Sequence, residues 1–450
     1  MRALLEDAAA RAIRYLDDLD ARGIAPTPEA VAALSALDEA LPAGPCDPAE
    51  TLALLDDVGS PATMANAGGR FFGFVIGGAL PVTVASQWLA TAWDQNAALQ
   101  AAAPATSRIE AVALRWLLEL FGLPADAAGG FVTGATTANF SALAAARHAV
   151  LARAGWNVEA DGLFGAPPIT VLVGDEAHPT LMKSLGMLGL GRQRVVRVPV
   201  DGQGRMRADR LPPIAGPTIV CLQAGNVNTG AFDPFDAIVP AVRAAGAWVH
   251  VDGAFGLWAL AHPAYAPLAA GITQADSWAT DAHKWLNVPY DCGIAFVRDR
   301  EALRSAMSVS ADYLPTQPGA RDPSDYTPEL SRRARGVEVW AALRTLGRDG
   351  IAELVERCCR HARRFAHELE AAGFEILNDV VLNQVLVSFG DDDMNRRVIA
   401  ALQADGTCWC GPTRWQGRSA MRISVCSWAT TEGDVARSVE AMQRVAAHVG

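Results

Sequence analysis

The chain has 450 residues, of which 51% are hydrophobic and 19% charged, the balance of a globular protein with a large core and more than one domain. A net charge of -11 and a pI near 5.3 exclude the clustered positive surface that displaces counterions from nucleic-acid phosphates, so no nucleic-acid partner is expected. No apolar run reaches membrane-spanning length free of Gly, Pro or charge, and no membrane partner is expected either. The eight cysteines show no paired zinc-type spacing. They read as reduced thiols in a cytoplasmic protein, with no metal site.

In chain order, residues 1 to about 65 predict helices. "MRALLEDAAARAIRYLDDLD" is amphipathic, and "GIAPTPEA" and "LPAGPCDPAE" place proline and acidic residues at helix starts. From about 66 to 300, short apolar runs ("ITVLVGDEAH", "RVVRVPVD", "TIVCLQAG", "AWVHVDGAF", "GIAFVRD") alternate with helical stretches. That alternation predicts a mostly parallel sheet covered on both faces. "VSADYLPTQPGARDPSDYTPELSRRARG" then reads as a long functional loop. After it, "GVEVWAALRTLG" and "GIAELVERCCRHARRFAHELEAAG" predict helices, and "LNQVLVSFG" and "AMRISVCSW" predict strands of a smaller α+β domain.

Lysine occurs only at Lys183 and Lys284 among 38 basic residues. Arginine cannot serve as an amine nucleophile, so a lysine retained in an arginine-rich chain points to amine chemistry. Lys284 ends "DSWATDAHKW"; Lys183 lies within a helical stretch and reads as exposed or structural. Upstream, "GGFVTGATTANF" is a glycine-rich turn opening a helix, which is either a phosphate site with a hydroxyl from Thr136 or Thr137, or a capped helix start. His178 in "DEAHPT" and Asp252 in "WVHVDGAFG" follow strands, where ligands gather in parallel sheets. His178 reads as a ring stacked on a planar cofactor or as a helix cap. A buried Asp252 needs a cation, either a protonated pyridine nitrogen or an arginine. Together the four features suit pyridoxal phosphate.

These motifs resemble the group II pyridoxal-phosphate-dependent amino-acid decarboxylases, which include aromatic-amino-acid, glutamate and histidine decarboxylases. The resemblance runs from "RFFGFVIGGALP" through "AAPATSRIEAVALRWLLELFGLP" to "MRISVCSW", and "HKW" followed by "DCG" is its most specific part. It implies an α/β fold of type I, with a mostly parallel seven-stranded sheet in a large domain (66–331, including a mobile loop 309–331). An N-terminal helical segment (1–65) would pack on a homodimer partner, and a smaller C-terminal domain would span 332–450. The cofactor implied is pyridoxal 5'-phosphate. By the same resemblance Lys284 bonds the cofactor, His178 stacks on its ring and Asp252 binds the pyridinium nitrogen. Ala135 and Thr136 match the phosphate-loop positions, His283 lies beside the phosphate, and Ala254 packs beneath the ring. "SDYTPELSRR" matches the closing loop and makes Tyr326 the proton donor, with His178 as the alternative.

The implied reaction is decarboxylation of an L-amino acid to its amine and carbon dioxide. An aminotransferase and a decarboxylating aldehyde synthase are alternatives on the same fold. The chain departs from the family pattern in three places. Asp281 and Ala282 stand where aromatic-amino-acid decarboxylases carry Asn-Pro, and Asp281 receives no phosphate contact. "QAGNVNTGAFD" leaves the cofactor 3'-oxygen contact open among Asn226, Asn228 and Thr229. "FFGFVIGGALP" suggests a pocket of Phe72, Phe74 and Val75, with Trp93, for an apolar or aromatic side chain.

Overall fold

The computed structural model describes residues 1–310 and 321–450. The chain divides into two compact units, one of 1–78 with 361–377 and 385–450, the other of 79–360 with 378–384. The first unit opens with helices α1 (Arg2–Asp17), α2 (Pro28–Ala33) and α3 (Pro48–Leu54). Proline marks two of the starts as expected. The Thr27 side chain accepts the Ala30 N–H ahead of Pro28, and Asp47 accepts that of Ala49 ahead of Pro48.

The second unit begins with α4 (Pro81–Trp93) and α5 (Pro104–Phe121) and then builds a seven-stranded sheet. Its strands are β1 (Ala128–Val132), β2 (Thr170–Gly174), β3 (Val196–Val198), β4 (Thr218–Gln223), β5 (Trp248–Asp252), β6 (Ser277–Asp281) and β7 (Gly293–Val297). The helices between them are α6 (Ala135–Arg153), α7 (Val158–Asp161), α8 (Pro179–Met187) and α9 (Phe235–Ala244), with α10 (Arg300–Met307) after the last strand. Strand order is β1-β7-β6-β5-β4-β2-β3, and β7 runs against both β1 and β6 while the other pairs are parallel.

Alternation along β7 shows why both faces are covered. Ala295 joins Val132, Ala279 and Ala138 of α6 in one buried cluster, whereas its neighbour Phe296 meets Phe121 of α5 with ring centroids 6.4 Å apart. The alanine-rich α6 can therefore lie close to the sheet. Gly293 extends that closeness to the turn before α6, because a Cβ on it would stand 2.4 Å from the Gly134 backbone. Strand ends and the α6 start thus share one edge of the sheet, where ligands bind in parallel α/β folds.

Helix α11 (Gly336–Ala371) bends at Gly347, whose φ of 61° breaks the helical path. The remainder supplies β8 (Glu375–Ile376), β9 (Gln384–Ser388), α12 (Asp392–Asp405), β10 (Gly411–Trp415), β11 (Arg418–Ser424) and α13 (Glu432–Val449), with a four-stranded sheet in the order β10-β11-β9-β8. The expected boundaries at 65 and 331 shift. Residues 1–78 join the C-terminal sheet rather than standing apart, because backbone bonds run from Ile24 N–H to Gly406 O (3.0 Å) and from Phe72 N–H to Trp409 O (2.8 Å).

Of the expected loop 309–331, residues 311–320 lie outside the described residues. Tyr326 ends a 3-10 turn, Pro323–Tyr326, and is 4% exposed in a cluster with Ala128, Ala302 and Leu303. Its backbone crosses β1 so tightly that a Cβ on Gly130 would stand 2.6 Å from Tyr326 O. The Arg321 guanidinium covers the ring at 4.5 Å, and Arg321 itself binds Glu110 (3.0 Å) and Gly129 O (2.6 Å). This corrects the expectation of a swinging tyrosine: Tyr326 is a wedge along the sheet's edge strand.

Candidate active site

Asp281 closes β6, and the segment after it carries His283 and Lys284 into one cluster. Lys284 Nζ lies 3.1 Å from Asp281 Oδ2, and His283 Nε2 lies 3.6 Å from the same oxygen. Asp281 Oδ1 accepts the first N–H of α6, that of Ala135, at 2.6 Å. An acid at that position satisfies a helix-terminal donor and complements the helix dipole. His283 Nδ1 accepts the Cys292 N–H at 3.1 Å, and the ring stacks on Tyr290 with centroids 4.4 Å apart. Burial lowers the His283 pKa, an effect that Asp281 partly opposes. Lys284 is half-buried, whereas Lys183 is exposed on α8, which leaves Lys284 as the amine inside the site.

Asp252 closes the neighbouring strand, β5, and is held from both sides. Oδ2 accepts from Asn139 Nδ2 at 3.1 Å, and Oδ1 accepts the Ala254 N–H at 3.2 Å. Behind it runs a buried relay that sequence reading missed. Trp248 Nε1 donates to Ser277 Oγ (2.9 Å), Ser277 Oγ pairs with His250 Nδ1 (2.9 Å), and His250 Nε2 pairs with Asn139 Oδ1 (2.9 Å). Because the Asn139 amide nitrogen faces a carboxylate, its oxygen must accept, which assigns the His250 proton to Nε2 and the Ser277 proton to the bond with Nδ1. Each donor finds one acceptor along the whole line. The signal for it was thin: His250 lies two residues before Asp252, hence on the same strand face, but nothing local connects Asn139 to either.

His178 is the N-cap of α8, just beyond β2. Its Nδ1 accepts the Thr180 N–H (3.3 Å) and pairs with Thr180 Oγ1 (2.7 Å), so the neutral ring carries its proton on Nε2. Ser184 of α8 bonds Thr136 O at 2.8 Å and ties that helix to the first turn of α6. There Thr137 Oγ1 is paired with Thr133 Oγ1 (2.8 Å), and the half-buried Thr136 hydroxyl makes no protein hydrogen bond among the described residues. Ala254 is small and half-buried, and its carbonyl accepts the Asp281 N–H at 2.9 Å.

Two other expectations need correction. The Thr229 hydroxyl donates to Gln203 O (2.7 Å), ahead of β4, and accepts from Ala231 N–H (3.2 Å) of its own loop, beside the buried Asn228. Asn226 instead has a buried Nδ2 with no acceptor among the described residues, just beyond β4. In the first unit, Phe72 and Val75 are each 1% exposed, and Phe72 packs edge-on against Phe365 at 5.0 Å. They are core residues, not pocket walls. Phe74 is 61% exposed and flanked by Trp409 at 5.1 Å, and Trp93 is exposed at the end of α4 in the second unit.

The donor set fits pyridoxal phosphate. Asn226 offers an unpaired buried donor for a ring oxygen, Asp252 a fixed carboxylate for a protonated ring nitrogen, and Lys284 an amine for an aldehyde. The sheet and this set are those of a fold-type I pyridoxal-phosphate enzyme. The crystal structure of Oryza sativa TDC with PLP and tryptamine shares the fold with a TM-score of 0.91 at 23% identity, over 99% of this chain and 97% of that one. Tryptophan decarboxylase 1 of Oryza sativa subsp. japonica is 26% identical over 415 residues, 83% of this chain and 80% of its own length. An acidic amino acid decarboxylase of Bos taurus is 29% identical over 322 residues, 68% of this chain and 61% of its own length. The family model of the pyridoxal-dependent decarboxylase conserved domain matches residues 63–390, and the chain belongs to that family of pyridoxal-phosphate lyases.

Proposed function

We propose that the chain removes the α-carboxylate of an L-amino acid with an apolar or aromatic side chain, giving carbon dioxide and the amine. The observation that supports this best is the placement of a carboxylate at Asp252, held by two N–H donors at the end of β5, and of an amine at Lys284 just beyond the adjacent strand β6. Likeness to a tryptophan decarboxylase over 83% of this chain supports the choice of side chain.

When bound, pyridoxal phosphate supplies an aldehyde and an electron-withdrawing ring for the electrons of the broken bond. Asp252, braced by Asn139, would face the ring nitrogen and keep it protonated. The α6 N-terminus and the Thr136 hydroxyl would hold the phosphate, with His283 beside it. Asn226 Nδ2 would meet the ring oxygen, and Ala254, having no long side chain, leaves room beneath the ring. His178 would relay a solvent proton from Nε2 to the substrate carbon, the Thr180 hydroxyl at Nδ1 resupplying the ring, and we favour it over Tyr326 because that tyrosine is buried against β1. Lys284 Nζ would bond the cofactor's aldehyde carbon between turnovers and exchange that bond with the amino group of substrate and then of product.

We read the chain as a cytoplasmic homodimer. Helix α1 has no buried residue, and Leu5, Ile13 and Leu16 are 62%, 52% and 40% exposed, an apolar stripe that a second copy would cover. All eight cysteines are free thiols, and among the described residues no helix is long and apolar enough to cross a membrane.

The test is to supply the loaded protein with each common L-amino acid and measure carbon dioxide, amine, aldehyde and keto acid. Equal amounts of carbon dioxide and amine, greatest with an apolar or aromatic substrate, are expected. Keto acid without carbon dioxide would make the enzyme an aminotransferase, and aldehyde in place of amine an aldehyde synthase.

A further inference from the structure

We propose that Asp281 sets the affinity for the phosphorylated cofactor, because its carboxylate holds the helix terminus that the phosphate needs and must give up that hydrogen bond during loading. The inference rests on the pyridoxal-phosphate reading of the site and concerns the acid three residues before Lys284.

Asp281 is 2% exposed. Its Oδ1 takes the Ala135 N–H at 2.6 Å, and a Cβ on Gly134 would stand 3.5 Å from that oxygen and 3.3 Å from His283 Cε1. The turn, the carboxylate and the imidazole therefore form a single packed unit with little room for a second anion. Three further groups face this carboxylate. Lys284 Nζ, 3.1 Å away, is its cation. His283 at 3.6 Å is held toward its neutral form by burial. Cys292, whose pKa burial raises well above its ordinary value, is a neutral thiol. Asp252 on the neighbouring strand is a further acid, and β6 and β5 meet at Ala279 and Asp252.

Among the described residues Asp281 therefore depends on one cation, Lys284, which is the amine that the cofactor would engage. Loading engages that amine elsewhere and brings a second anion to the same N-terminus. Two like charges at one low-dielectric site repel strongly, so the carboxylate resists the phosphate. An uncharged residue would accept the Ala135 N–H without that repulsion. The consequence is a cofactor held less tightly through its phosphate than the helix terminus permits. Asp281 acts as a positioning residue for Ala135 and Lys284, and as a brake on loading.

The experiment uses cofactor-free wild-type protein with Asp281→Asn and Asp281→Ser, checked for folding by circular dichroism. Pyridoxal phosphate and unphosphorylated pyridoxal are titrated by absorbance and equilibrium dialysis, and inorganic phosphate is added in thermal melts. Both neutral variants should raise the preference for the phosphorylated compound by about tenfold or more, and inorganic phosphate should stabilise them more than wild type. An unchanged preference in folded variants, with wild type still binding pyridoxal phosphate, overturns the role of Asp281 and leaves the cofactor assignment standing. Failure of wild type to bind pyridoxal phosphate would remove the cofactor reading and this inference with it. Loss of folding in both variants would also overturn it, since a group that yields its bond during loading cannot be one on which the fold depends.

Discussion

Burial lowers the pKa of His250 to about 3, and its two ring nitrogens bond only neutral groups, Ser277 and Asn139. In the unfolded chain the ring takes up its proton near 6.5. Between about 6.5 and 3 the unfolded state therefore binds more protons, and His250 withdraws about 1.4 kcal/mol of stability for each unit by which pH falls through that window. Asp233, raised to about 6 by burial, works the other way, because the folded chain holds its proton between about 6 and 3.8. Comparing wild type with His250→Gln isolates the imidazole: the variant should lose less of its urea midpoint than wild type when pH drops from about 7 to about 5. Asn139→Leu should cost about 1–3 kcal/mol in the same assay, since it leaves Asp252 Oδ2 without its donor. The placement of Lys284, His178 and Asp252 at or just beyond strand ends was legible in the sequence from the apolar runs before them, and their roles rest on the proposed function. Asn139 and His250 were not, because periodicity shows which face a residue occupies but not which polar groups meet across two layers.

Elements explain the two tyrosine and glycine results. A proline-rich stretch between a sheet and a helix reads as a mobile loop, yet its far end is held by Arg321 on Glu110 and by Arg332, which binds both Glu110 and Phe131 O. Pattern could not show this, since the partners lie about two hundred residues earlier in the chain. Tyr326→Phe should leave the ratio of amine to aldehyde unchanged, and Tyr326→Ala should lower stability by about 3 kcal/mol in urea unfolding, as for a truncated core aromatic. A changed product ratio in Tyr326→Phe would return the tyrosine to the chemistry. Gly293→Ala tests the closeness of β7 to the α6 turn. The added methyl meets the Gly134 backbone at 2.4 Å, so a loss of about 1–3 kcal/mol is expected, together with weaker cofactor binding measured by absorbance titration.

At the scale of the molecule, alternating strands and helices made the parallel sheet legible, including five of its seven strands by their apolar runs. The domain boundaries were not legible, because bonds such as Ile24 N–H to Gly406 O join segments that composition treats as separate. The apolar stripe on α1 predicts a dimer in light scattering, and Leu5→Asp with Ile13→Asp should shift the mass to a monomer. What the whole arrangement asserts is that one amine, Lys284, does the chemistry. The direct measurement is to load the protein with pyridoxal phosphate, reduce it with borohydride and map the modified peptide by mass spectrometry. The adduct should fall on Lys284 and disappear in Lys284→Ala. An adduct on Lys183, or one that survives that substitution, would contradict the account.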